Sequence, residues 1–165
     1  MRSRRKKLNR DLLDAVVMRD IAKIRELLGQ GADVNARDEE HNEPPVMLAV
    51  KFADAAIIRL LLNVGAEVDA QDDMGRTSLF FAPVSSEVFK SLLEARADIH
   101  AADNKGNTIL LWKVLESASL SEVEELLRLG VDPGLRNEGG ETALDIAERL
   151  GLVKIGERLR AATSV

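Results

Sequence analysis

The sequence predicts an all-α fold of stacked antiparallel helix pairs, and three observations carry that expectation. Leucine pairs recur at Leu27 and Leu28, Leu61 and Leu62, Leu92 and Leu93, and Leu126 and Leu127, at spacings of 34, 31 and 34 residues. Three or four residues after each pair comes a short hydrophilic hinge, beginning at Gly31, Gly65, Arg96 and Gly130. Threonine then recurs at Thr77, Thr108 and Thr142, each with glycine two residues earlier, at Gly75, Gly106 and Gly140. A fixed order of landmarks at a fixed period is the signature of a repeat architecture.

Each landmark has a physical role. A threonine before an apolar stretch suits a helix N-cap, where its hydroxyl accepts from an otherwise unpaired backbone N–H. Alanines such as Ala49, Ala82 and Ala147 permit close helix packing. A second apolar segment, as in Ile57, Ile58, Leu61 and Leu62, repeats at helical spacing. Glycine at its end supplies the left-handed backbone of a helix C-terminus. One pair cannot bury its own apolar side, so stability must come from stacking on neighbours.

The motifs resemble the ankyrin repeat. The Leu-Leu-x-x-Gly-Ala-x-Val-Asn ending of that family is matched by Leu27 to Asn35 and, with Asp for Asn, by Leu61 to Asp69. Its Thr-Pro-Leu-His opening is matched in part at Pro44 to Met47, Thr77 to Phe80, Thr108 to Leu111 and Thr142 to Asp145. The resemblance covers about residues 10–160 and implies an ankyrin-repeat solenoid with protruding hairpin fingers. It divides one domain, 10–165, into five units: a cap at 10–37, repeats at 38–71, 72–102 and 103–136, and a closing cap at 137–162. Glu148, Arg149, Lys154, Glu157 and Arg158 give the last unit the polar outer side that an end cap requires.

Taken in order, the units depart from the family in specific ways. In the second, Pro44 stands where a capping hydroxyl is expected, so Asn42 is the candidate cap. The third is 31 residues long and has Pro83 where alanine usually continues the first helix; that helix should be short. Arg96 stands there in place of the hinge glycine, and a side chain in a left-handed conformation costs about 1 kcal/mol or more. In the fourth, Lys113 replaces a packed alanine, with Glu116 and Glu148 as candidate partners. Histidine is missing from the fourth position of every opening, where Met47, Phe80, Leu111 and Asp145 stand, so the polar tie made there in the family must be absent or replaced.

Composition narrows the function. Residues 1–10 hold six Lys or Arg and no acid, leaving 17 basic and 28 acidic residues in the other 155, a net of −11. Such a body repels a phosphate backbone. Residues 1–9 are expected to be a solvated, disordered tail. With no cysteine there is no disulfide framework or thiolate chemistry. The basic start leads into Leu8, Asn9, Arg10 and Asp11 rather than an apolar signal core, and no apolar run reaches membrane-spanning length. A cytoplasmic, monomeric protein is the expectation.

Catalysis is not expected. His41 and His100 lie about two repeats apart and resemble no helical metal pair. Glu39, Glu40, Asp72 and Asp73 occupy turns where carboxylates serve backbone bonding, and Gly139 and Gly140 lack the lysine of a phosphate loop. No catalytic, cofactor or metal residue is assigned.

The resemblance implies binding of another protein through finger tips and the open side of the first helices. The aligned tips are Glu39, Glu40, His41 and Glu43; Asp73, Met74 and Arg76; Asn104, Lys105 and Asn107; and Glu138 and Glu141. The helix side aligns with Val17, Met18, Leu48, Lys51, Phe52, Phe81 and Trp112. The candidate contact set is Phe52, Met74, Arg76, Phe81, Asn104, Lys105, Asn107 and Trp112, since aromatic residues are common interface anchors. The resulting reading is a small adaptor or regulator that binds through its concave groove. The alternative is an anchoring protein whose basic tail binds nucleic acid or an anionic membrane.

Overall fold

The structure is a computed structural model describing residues 2–163. Met1, at the start of the expected tail, and residues 164–165, at the end of the expected domain, lie outside the described residues. Two compact units, Met1–Ala97 and Asp98–Val165, divide the stretch read as one domain. In a repeat array each element packs on its neighbours, so adjacent repeats naturally gather into such groups.

The first unit contains α1 (Arg2–Val17), α2 (Ile21–Gly29), α3 (Pro45–Lys51), α4 (Ala55–Asn63), α5 (Ser78–Phe81) and α6 (Glu87–Glu94). Each repeat is an antiparallel pair, with first helix α1, α3 or α5. First helices pack on first helices, α1 on α3 and α3 on α5, while α4 packs on α6. Leu12, Val16, Ile24, Met47, Ile57, Leu61, Phe80, Phe89 and Leu92 fill the core, each 2% exposed or less.

The second unit contains α7 (Ile109–Leu115), α8 (Leu120–Arg128), α9 (Ala143–Arg149) and α10 (Val153–Thr163). α7 packs on α8 and α9, and α10 on α8 and α9. Leu110, Leu111, Val114, Val123, Leu126, Ile146 and Leu159 are fully buried. Among the described residues there is no strand, only one antiparallel bridge between Ala102 and Thr108.

Backbone geometry explains the landmarks. Gly31, Gly65 and Gly130 end second helices at positive φ, and Arg96 stands at the same place with φ 65°. The corner between the two helices of a pair also turns through a left-handed residue: Arg19, Ala53, Ser85 and Ser117, and in the last pair Gly151. That second periodic feature has no residue-type signature, which is why the sequence conceals it. As expected from Pro83, α5 is a single turn.

The threonines fall at N-caps, but only one caps with its side chain. Thr142 Oγ1 accepts from Asp145 N, and the Asp145 carboxylate accepts from Thr142 N at 2.8 Å, a reciprocal capping box. The Thr77 and Thr108 hydroxyls are buried without a hydrogen-bond partner. Three residues on, where Thr142 finds Asp145, these two meet Phe80 and Leu111, which offer no polar atom. The polar tie is therefore replaced by Asp145 in the last unit and not replaced at Thr77 or Thr108. Asn42 does not cap α3; its cap is Pro44, without a side-chain bond, while Asn42 adopts φ 58° in the finger.

The basic segment departs most from expectation. Residues 2–9 form the first half of α1 instead of a disordered tail. Arg, Lys and Leu are good helix formers, and the segment is tied to the first hinge. Asn9 Oδ1 accepts from Asp33 N at 2.9 Å, Arg5 donates to Asp33 at 3.3 Å, and Lys6 lies 3.7 Å from Glu39.

Candidate protein-binding surface

The fingers are built by one repeated device. A carboxylate or amide oxygen at the base of each finger accepts backbone N–H groups across the turn, which closes the hairpin without a strand. Asp38 Oδ1 accepts from Glu40 and His41, and Asp72 Oδ1 from Met74 and Arg76. Asp103 Oδ1 accepts from Lys105 and Asn107, and Asn137 Oδ1 from Glu141. Adjacent fingers are bonded within each unit, Asp73 N to His41 O at 3.1 Å in the first and Glu138 N to Lys105 O at 2.9 Å in the second. The tips are thus held in a defined conformation.

In the first unit this scaffold assembles a cluster around Phe81, which ends α5. Lys51 Nζ lies 4.8 Å and the Arg76 guanidinium carbon 4.6 Å from the ring centroid. Cations over an aromatic ring are attracted by its negative faces, by about 0.5–2 kcal/mol each. Both cations are held by buried carboxylates. Lys51 donates to Glu43, which is 2% exposed, and Arg76 makes bonds of 2.8 and 2.7 Å to Asp72, which is 6% exposed. The charges of Lys51 and Arg76 are thereby cancelled locally.

Apolar side chains close in sequence to these cations are accessible. Phe52, just past α3, is 44% exposed and Met74, in the finger beside Arg76, 42%. Val17 and Met18, at the end of α1, are exposed at the repeat-equivalent position. Met18 and Phe52 directly follow α1 and α3, first helices that pack side by side. Glu39, Glu40 and Asp73 are exposed at the tips of the same unit.

Of the eight sequence-predicted contacts, the structure brings together Arg76 and Phe81 and exposes Phe52 and Met74. In the second unit Asn104 and Lys105 are exposed and Trp112 is half-buried on α7. Asn107 is placed differently. It is buried, with Nδ2 donating to Asp103 Oδ2 at 3.0 Å and Oδ1 accepting from Asn137 Nδ2 at 2.9 Å, so it braces the fingers and offers no exposed surface. Glu43, also read as a tip, is buried beneath Lys51. Its length let it turn inward to a cation, which spacing alone does not reveal.

Lys113, next to Trp112, is half-buried, and burial pushes its pKa down while Glu122 and Glu116 raise it. Of the partners considered, Glu116 acts on it, whereas Glu148 accepts from Arg160 at 2.6 Å. His41 and His100 are exposed. Among the described residues no group of three His, Cys, Asp or Glu is arranged to hold a metal ion, and no helix is long and apolar enough to cross a membrane.

Paired helices at a period near 33 residues, left-handed hinge glycines and bonded fingers define a helical repeat protein. A sequence model of the family described as ankyrin repeats (3 copies) matches residues 12–103, more than half of the chain, and the chain belongs to that family. No curated protein matches it. Ankyrin repeats generally mediate protein–protein interaction and are generally non-catalytic.

Proposed function

We propose that this chain is a small adaptor or regulator without catalytic activity, binding another protein through the exposed apolar residues around Phe81 in the first unit. The observation that carries the reading is the pairing of Lys51 with Glu43 and of Arg76 with Asp72, with Phe52 and Met74 exposed close to them in sequence and Met18 exposed at the repeat-equivalent end of α1. Glu39, Glu40 and Asp73 are exposed at the tips of the same unit, which favours a partner presenting an apolar projection ringed by basic residues. The lack of cysteine suits a reducing compartment such as the cytoplasm. Trp112, Asn104 and Lys105 are a second set of candidate contacts, in the other unit.

The test compares proteins captured from the source lysate by the intact chain and by a Met18→Ser, Phe52→Ser variant whose helicity matches wild type. Both positions are exposed, so the fold should survive. A partner captured by the first and lost by the second supports the reading. Equal capture by both overturns it.

A further inference from the structure

The helical start of the chain creates a second surface. α1 forms one wall of an open cleft of about 750 Å³, and residues 37–39 line the other. Lys6, Lys7 and Arg10 project from the α1 wall, with Arg37 opposite. Arg37 is immobilised, its guanidinium donating to the carbonyls of Asn42 at 2.9 Å and Gln71 at 2.6 Å.

Two cations of α1 already meet carboxylates of the chain: Arg5 reaches Asp33, and Lys6 approaches Glu39, both Lys6 and Glu39 being more than 80% exposed. Arg4, Lys7 and Arg10 form no ion pair with the described residues, and Lys7 and Arg10 are neighbours on the helix surface, three residues apart. Arg4, Arg5, Lys6, Lys7 and Arg10 also repel one another, and those in the first turns oppose the positive end of the α1 dipole. An anionic ligand relieves both effects.

The surroundings choose among anions. Asp14, Asp38 and Glu39 line the same cleft, so a continuous phosphate backbone meets repulsion a few residues from the cations. A membrane needs apolar side chains beside the basic ones for insertion, but Leu12, Leu13 and Val16 of α1 are buried in the protein. A peptide with a few carboxylates fits both restrictions, because its charges are discrete.

We infer that the cleft between α1 and the first finger is a docking site for an acidic peptide segment of a partner protein, whose carboxylates bind Lys7 and Arg10. The site is separate from the apolar residues around Phe81, and Phe52→Ser leaves it unchanged.

The test measures fluorescence anisotropy of a labelled Glu-Gly repeat peptide with the full chain and with Lys7→Glu, Arg10→Glu. The expected loss is about tenfold or more in affinity, with a Lys-Gly peptide showing the reverse preference. Lys7→Gln, Arg10→Gln, which removes charge without inverting it, should lose a smaller factor and decides the matter if the first variant does not fold. Absence of peptide binding, or equal affinity in wild type and the folded variants, overturns the inference. So does tighter binding of a thymidine oligonucleotide or of phosphatidylserine vesicles than of the peptide.

Discussion

Thr108→Val should stabilise this protein, although it removes a polar group from a position that the family's pattern marks as a cap. The Thr108 residue is 3% exposed, and its hydroxyl has no hydrogen-bond partner. Burying a hydroxyl without a partner costs about 1–3 kcal/mol. Valine has nearly the same shape, so the exchange opens no cavity, and the extended backbone of Thr108, φ −73° and ψ 169°, suits a β-branched residue. The expected gain is about 1 kcal/mol, roughly 2–4 °C in Tm for a chain of this size. Thr142→Val supplies the internal contrast, because it breaks a capping box at the repeat-equivalent position and should cost about 1 kcal/mol. Urea denaturation of both variants, with m shared across the set, reads the two shifts in midpoint. If Thr108→Val destabilises the protein as much as Thr142→Val, the Thr108 hydroxyl has a partner and the reasoning fails.

Three further outcomes follow from the same geometry. Arg96→Gly relieves a side chain held at φ 65°, and after the added chain entropy of glycine the net gain should be about 0.5 kcal/mol, visible as a higher urea midpoint; a loss would mean that the Arg96 side chain contributes more than its backbone costs. Asn9→Ala leaves Asp33 N without its acceptor and should cost about 1 kcal/mol, with faster hydrogen exchange at the Asp33 amide as the specific readout. Lys113→Met should stabilise the chain at neutral pH, because burial lowers the folded-state pKa of Lys113 below its usual 10.5, so that the folded state bears the cost of the charge. That cost is fully present below the folded pKa and disappears as pH rises through it toward the unfolded value, so the advantage of methionine should shrink as pH rises toward 10.5 in paired denaturation curves. An advantage that grows with pH would contradict burial as the cause.

Much of the fold was legible in the sequence because repetition multiplies weak signals. One Leu-Leu pair or one Gly-x-Thr means little alone, but four and three in register determine helix pairs, hinges and the N-caps at Thr77, Thr108 and Thr142. Glycine and proline act through the local backbone, so the strained Arg96 and the single-turn α5 before Pro83 could be read without knowing any contact. Exposure of Phe52 and Met74 followed from the same register.

What only the tertiary structure decided depends on neighbours distant in sequence. Glu43 and Asn107 share the register of finger tips yet are buried, because Lys51 and Asn137 meet them there. The basic segment has the composition of a solvated tail, but Asn9, Arg5 and Lys6 find Asp33 and Glu39 in the first hinge and finger, and those contacts belong with a helix extending back to Arg2. The spacing of Arg5, Leu8, Asn9 and Leu12 at three and four residues was the available clue. The orphaned threonine hydroxyls, of Thr77 and Thr108, mark the same division. Register places a threonine at three of the first-helix caps, and whether its oxygen is satisfied depends on the side chain that packing brings to it.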